Sequence, residues 1–402
     1  MDMLLNRERA DAIMDREGLD ALVAVTPNNV LYLSDYESDF LYDVPWIACA
    51  ILPRDHSRPA CLCVTEIEAA VLVQRPTWMP KVRLFYFGIY GGVLKVHTFT
   101  EAREFSPEDH EIHKLIQGLE QCGDVGIGEC ASRALAELGM KNAKVGIDDT
   151  RFANLLDPDV VGEFHDATNL FIEIRMVKTP KELGLLREAA VKNEAAMRRA
   201  FGAIRHGATW DDVNRAYEVG VAEQGCRVYA SFNGAGRKSA GAGRPDRRYE
   251  ILPGDQICFD SMLKWQRYMG DAQRTVVLGE ASPKLERYWG AYAAGIETAY
   301  NSMRPGMWTG QLRNMCIDAV RKSGLPSFEL AFSHGIGLDH IEVPFVAGGT
   351  LGDFEIEEGM VLNLDMELHE IGWGGVFFEE TMLITRDGAE RLYDLPRELI
   401  RL

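Results

Sequence analysis

The feature that most constrains the fold of this chain is an internal repeat. A long helical pattern begins near Pro180, a residue suited to a first helical turn, and ends at an R-x-G break formed by Arg205 and Gly207. A second helical pattern follows, opened by Thr209 and Asp212 as a capping pair and closed by Gly225. Residues 283–324 repeat this order: long helix, R-x-G break, Trp/Thr pair, second helix, closing glycine. Arg205, Gly207 and Gly225 correspond to Arg304, Gly306 and Gly324, each at an offset of 99 residues. Strand-rich segments follow both copies. Two copies are too few for a solenoid, so the expectation is one closed domain in which two helix–helix–sheet units are related by a pseudo-two-fold axis. The chain of 402 residues has room for a second domain. Before residue 165 the pattern alternates: a surface helix over 4–17 ended by Gly18, and strand-like pieces in DALVAVTP, NVLYLSDY, PWIACAILPRD and PACLCVTE. A helix in HEIHKLIQGLEQCG, a strand in KVGIDD, and helix or turn in NLLDPDVVGEF follow. The fold class is therefore α/β (α+β), with an N-terminal domain over 1–165 and the duplicated domain over 170–402.

The strand segments of the repeat carry carboxylates where apolar residues are expected. PGDQICFDSML holds Asp260 and its return YMGDAQRTVVLG holds Asp271; EEGMVLNLDMEL holds Asp365 and its return GGVFFEETMLIT holds Glu379. In an antiparallel hairpin, cross-strand partners have a constant sum of positions. A sum of 531 would oppose Asp260 and Asp271 directly, with the turn centred between Trp265 and Gln266 and Cβ atoms about 5 Å apart. A sum of 744 opposes Asp365 and Glu379 and centres that turn on Gly372, a glycine-bearing tip. Each copy thus supplies one acidic pair at the same relative place. Four carboxylates that close repel one another unless cations sit among them, so the hairpins are expected to form a dinuclear metal cage. SHGIGLDHIEVP adds His334 beside a glycine pair, with His340 and Glu342 following. One imidazole among carboxylates suits Mn²⁺, Fe²⁺, Co²⁺ or Zn²⁺.

Charge narrows the partners. Lys+Arg total 43 and Asp+Glu 61, a formal net charge of −18. Such a chain is repelled by phosphate backbones and by anionic membrane surfaces, so neither nucleic acid nor membrane is expected as a partner. The N-terminus lacks a continuous apolar run, no stretch of 18 apolar residues occurs, and the eight cysteines are scattered without a CxxC pair. The expectation is a cytoplasmic protein with reduced thiols.

These motifs resemble the methionine aminopeptidase, prolidase, aminopeptidase P and creatinase family, which has the "pita-bread" fold, and most of all its Xaa-Pro dipeptidase and creatinase-like branch. The likeness covers nearly the whole chain and rests on LPGDQICFD, GDAQRT, SHGIGLDH, EEGMVLNLD and FFEETMLITRDG. It implies two divalent transition-metal ions: Asp260 on one, Asp271 and Glu379 bridging, Asp365 and His334 on the other. It further implies hydrolysis of a C–N bond in a dipeptide or other small substrate through a metal-bound hydroxide, with a site carboxylate shuttling the proton. Three positions depart from the family pattern. Asp365 stands where Glu is usual, with Glu367 on the same strand face as a substitute. Gly243 stands twelve residues before Asp255, where a histidine is usual. Ile341 occupies the place of a second histidine, with His340 one residue earlier. His340, Asp365 and Glu367 are accordingly the candidate catalytic residues. Arg237, Lys238 and Arg244 in the loop NGAGRKSAGAGRPDRR could grip a substrate carboxylate. Tyr229, just ahead of that loop, and Trp46, in an aromatic-acidic stretch with Tyr36, Phe40 and Tyr42, are further candidate substrate contacts. The resemblance also implies a homodimer in which the N-terminal domain contributes to the neighbour's site. Alternative functions on the same scaffold are creatinase-like, ectoine-hydrolase-like or dimethylsulfoniopropionate-lyase-like chemistry, and metal-free binding.

Overall fold

The computed structural model describes all residues except 1–2, 90–91, 98–99, 233, 242–245, 330 and 345–352. The chain divides into two compact units, Met1–Arg175 and Met176–Leu402. The division falls later than the 165–170 gap read from the sequence. Helix Thr168–Met176 buries Phe171 and Ile174, and its start is tied to strand Ala143–Ile147 by a bond from Ala167 N–H to Ile147 O of 2.8 Å.

The first unit is built on a six-stranded mixed sheet. Its order is Lys81–Phe85, Cys61–Thr65, Ala48–Pro53, Ala21–Ala24, Ala143–Ile147, Val161–Asp166. Two expectations need correction. NVLYLSDY is not a strand: residues Pro27–Ser34 form a helix, with Pro27 in its first turn and Asp35 in a left-handed cap. All of Asn29–Ser34 is buried, so the helix shows no polar stripe, and a short buried helix cannot be told from a strand by periodicity. The end of NLLDPDVVGEF, in turn, is a strand, Val161–Asp166, paired parallel to Ala143–Ile147.

The second unit shows the duplication directly. Helices Pro180–Phe201 and Trp210–Glu223 recur as Pro283–Ser302 and Thr309–Lys322. Thr179 and Glu182, and Thr209 and Asp212, form complete capping boxes at the first two helix starts. Gly207 N–H donates to Ile251 O (3.0 Å) and Gly306 N–H to Ile356 O (2.9 Å), so the break glycines make equivalent bonds in both copies. Each copy then forms a long hairpin: Gln256–Trp265 with Tyr268–Val277, and Val361–Glu370 with Gly374–Thr385. Behind the first hairpin, Phe259 meets Phe201, Trp210 and Tyr217 edge-on, at ring distances of 5.6, 5.8 and 5.6 Å. Behind the second, Phe378 meets Trp289 at 5.8 Å. Among the described residues no helix is long and apolar enough to cross a membrane.

One buried ionic cluster joins the first helix start to the segment after His334. Lys178 Nζ lies 2.6 Å from Glu342 Oε2, and the Tyr268 hydroxyl donates to Glu182 Oε1 at 3.1 Å. Burial pushes the Glu182 carboxyl up to about 7; the Glu342 charge adds to this and the Lys178 ammonium opposes it. Because the folded value lies above the unfolded one, this group's contribution to stability is complete at low pH. It is lost as pH rises from about 4.5 to about 7, a change of about 3 kcal/mol. Glu182→Gln removes the titration. Urea unfolding across that window should show the variant gaining on the wild type by about this amount; parallel curves would contradict the assignment.

Candidate metal centre

Strand alternation separates the two roles of each hairpin. On strand 361–370, Leu362, Leu364 and Met366 join the apolar core beneath the helices, while Asn363, Asp365, Glu367 and His369 take the other face. Asp365 pairs directly with Glu379, as the glycine-tipped register predicts, and Gly372 at the tip has φ +87°. In the first hairpin the expected direct opposition is corrected. Asp260 pairs with Gln273, and Asp271 with Met262. The turn is the two-residue pair Gln266–Arg267, with φ of +45° and +73°, the left-handed geometry of a type I′ hairpin. The shift is even, so both aspartates stay on one face as diagonal neighbours.

The hairpins are stitched along their return strands. Phe377 N–H donates to Thr275 Oγ1 (2.8 Å), the Thr381 hydroxyl to Asp271 O (2.8 Å), and Arg274 Nη1 to Glu379 O (2.6 Å). These bonds bring Asp271 and Glu379 together. Three sets of donor atoms result, each within 4.8 Å: Asp260, Asp271 and Glu379; His334, Asp365 and Glu379; Asp271, His334 and His340.

His334 comes from strand Ala331–Gly335, where it pairs with Asn363. Its Nδ1 lies 2.9 Å from Gly335 O, a group that only accepts, so Nδ1 carries a proton. That leaves Nε2 facing Asp365 Oδ2 (3.3 Å) and Glu379 Oε1 (3.6 Å). His340 reaches the same place because the chain folds back after Gly335. Gly335 and Glu342 exchange backbone bonds of 2.9 and 2.8 Å, and a Cβ at Gly335 would lie 2.6 Å from Val343 O. His340 Nε2 thus lies 2.8 Å from Asp271 Oδ2, with its ring 5.5 Å from that of His334, whereas Ile341 is exposed.

Five of the six donors are buried, at 6% exposure for Asp260 and 1% for Asp271, His334, Asp365 and Glu379, while His340 is partly exposed. Burial first, and then the charges of neighbouring carboxylates, push Asp260, Asp365 and Glu379 well above the usual carboxylate range. Burial pulls the His334 imidazole down, but Glu379 and then Asp271 more than reverse this, so its value is raised. Asp271 Oδ1, Asp365 Oδ1 and Glu379 Oε2 are buried and accept no hydrogen bond. Buried carboxylate oxygens left open towards one another beside an imidazole lone pair fit divalent cations.

The remaining candidates are placed as follows. Glu367 is outside the three donor sets, whereas Asp365 belongs to one of them. Tyr229 is the extra residue of a β-bulge in strand Arg227–Ser231, between the pairs Ala230–Met262 and Val228–Leu263. The bulge turns its ring onto His340 at 5.6 Å, with Lys264 Nζ 5.1 Å from the ring. Arg237 is exposed on a 3-10 turn, and Lys238 lies 3.7 Å from Asp246. Gly243 and Arg244 lie outside the described residues. Trp46 belongs to the first unit, where it meets Phe152 edge-on at 6.1 Å and donates to Asp149 at 3.3 Å. Asn363 was missed by sequence reasoning. Its Nδ2 donates to Glu379 Oε1 (2.5 Å) and Asp271 Oδ2 (3.2 Å). The signal was present: an amide two residues before Asp365, on the same face of an apolar strand.

The signature of metallopeptidase family M24 matches residues 184–386, half of the chain. The Xaa-Pro dipeptidase of Lactobacillus delbrueckii subsp. lactis is 26% identical over 238 residues, 58% of this chain and 64% of that protein. The Xaa-Pro dipeptidase of Pyrococcus furiosus is 25% identical over 269 residues, 65% of this chain and 77% of that one. The match thus spans less than two thirds of the first relative's length and about three quarters of the second's. Among solved structures, the prolidase from Pyrococcus horikoshii superposes with a TM-score of 0.72 at 21% identity, covering 98% of this chain and 99% of its own. The Xaa-Pro dipeptidase from Bacillus anthracis superposes at 0.74 and 20% identity, with the same coverage. Both share the pita-bread architecture, and the family signature spans every donor of the cage: this chain is a member of metallopeptidase family M24.

Proposed function

We propose that this protein is a metal-dependent dipeptidase that hydrolyses the C–N bond of small Xaa-Pro-type substrates. The observation that carries the proposal is the buried donor cage between the two hairpins, in a chain whose family works with divalent ions, generally two. Asp260, Asp271 and Glu379 would hold one ion, and His334, Asp365 and Glu379 the other; Glu379 belongs to both sets. Ions bound there supply Lewis acidity to the scissile carbonyl and lower the pKa of water. Asn363 donates to one oxygen of each central carboxylate, Asp271 Oδ2 and Glu379 Oε1, and His340 meets the same Asp271 oxygen from the more exposed side. Tyr229 backs the His340 ring and offers an apolar wall to a substrate side chain. Mutual repulsion of the buried carboxylates argues against a metal-free binding role. The acidic charge and scattered cysteines support a cytoplasmic setting, while the homodimer with a shared site rests on the family resemblance alone.

The direct test is turnover of Xaa-Pro dipeptides, against dipeptides without proline, by protein loaded in turn with Mn²⁺, Fe²⁺, Co²⁺ and Zn²⁺. Metal-dependent cleavage of the proline series is expected; none at full metal occupancy would refute the proposal.

Two variants probe the residue roles. Asp271→Ala should lower bound metal from about two ions per chain and abolish turnover with it. It should also stabilise the metal-stripped protein, because one of the mutually repelling charges is gone. Elemental analysis and thermal melts in chelator read the two effects, and full metal content in the variant would remove Asp271 from the ligand set. His340→Ala should keep its metal while turnover falls about 10–100-fold, the usual cost of losing a group that orients a ligand. Loss of metal in that variant would make His340 a ligand instead.

A further inference from the structure

A hydrogen-bonded chain of three side chains adjoins the cage without belonging to the donor sets. Gln273 Nε2 donates to Glu367 Oε1 at 2.9 Å, and His369 Nε2 lies 3.1 Å from Glu367 Oε2. The backbone N–H of Gly241 donates to His369 Nδ1 at 3.0 Å. That amide can only donate, so Nδ1 accepts, and the proton of the neutral ring sits on Nε2, aimed at Glu367. Phe377, the cross-strand partner of Glu367, fixes the ring edge-on at 5.0 Å. The first hairpin, the second hairpin and the segment before residue 242 each contribute one anchor.

The chain lies on the carboxylate-bearing faces of the two hairpins. Glu367 stands two residues beyond Asp365 on the same strand face. Gln273 pairs with Asp260 across the first hairpin, and its Oε1 is buried without a hydrogen-bond partner. Side-chain exposure rises from 2% at Asp365 to 19% at Glu367 and 30% at His369, so the chain runs outward from the cage.

We propose that His369 is a positioning residue that fixes Glu367 as the proton-exchanging carboxylate of the site, with Gln273 holding its second oxygen. This rests on the hydrolytic function proposed above. As water oxygen adds to the scissile carbonyl carbon, one water proton passes to Glu367. The same proton moves to the leaving nitrogen as the C–N bond breaks, and Glu367 returns to its ionised form with no net gain or loss. The two donors hold the carboxylate aimed between turnovers.

The test uses full-length protein loaded with Zn²⁺, as wild type, His369→Ala, His369→Gln, Glu367→Gln and the His369→Ala/Glu367→Gln double variant. Nitrogen-15 NMR of labelled histidine, assigned by loss of the signal in His369→Ala, should show the Nε2–H tautomer at neutral pH. His369→Ala should keep the wild-type metal content and KM for an Xaa-Pro dipeptide while kcat falls about 10–100-fold. Added imidazole, or the amide of His369→Gln, should restore part of that loss. In the Glu367→Gln background the second change should cost nothing more. An Nδ1–H tautomer, metal loss, an unrescued defect or fully additive losses would each overturn the proposal. If the wild type cleaves no dipeptide, the hydrolytic function fails by itself, and the tautomer and metal content still decide whether His369 is placed as stated.

Discussion

The structure of the second unit depends on confining four carboxylates in one buried pocket. At about 4 Å and an effective dielectric of about 20, each close pair of ionised groups costs about 4 kcal/mol, so side-chain preference alone cannot hold them together. The backbone does it. Thr275, Thr381 and Arg274 bind main-chain groups of the opposite hairpin at the level of Asp271 and Glu379, and none of these bonds uses a ligand oxygen. The repulsion is carried by a scaffold that does not depend on the acids, which is the condition for preserving a site whose own groups oppose it.

The duplication explains how one sequence pattern meets two opposite demands. Each hairpin must offer an apolar face to its helices and a polar face to its twin, and strand alternation delivers both with the same residues in order. In the second copy Leu362, Leu364 and Met366 interleave with Asn363, Asp365 and Glu367. In the first copy Phe259 packs into an aromatic cluster while its neighbour Asp260 faces the cage. A pseudo-two-fold arrangement then needs only these two half-sites.

What was legible in the sequence follows from this economy. The repeat, the hairpins and the five acidic and imidazole ligand candidates are encoded locally, by spacing, and the structure brings those residues together. The register of the first hairpin was misjudged by two because it depends on which residues accept positive φ. Gln266 and Arg267 do so here, without the Asn-Gly pair that usually announces a type I′ turn. The helix at Pro27–Ser34 was read as strand because its buried surroundings erase the polar stripe. The partners of Asn363, and the contacts of His369 and Tyr229, are not legible, although the strand alternation does place Asn363 on the polar face. Each depends on a partner distant in the sequence or on a bulge that no local pattern signals.

The two kinds of residue differ in how tightly the fold dictates them. A metal ligand must point along a fixed vector, so its place is set by strand register, and a one-residue slip would turn it to the wrong face. A proton-exchanging or orienting group needs only a hydrogen-bond path to its target, and such paths can start from many backbone positions. Here Ile341 is exposed, and the imidazole arrives one residue earlier because the chain folds back at Gly335. A second imidazole reaches the rim from the far end of the second hairpin, with its proton directed by a single backbone amide. The cluster of donor atoms is thus the part of this site that sequence spacing fixes, and the hydrogen-bonded shell around it is the part that side-chain contacts leave free to be rebuilt.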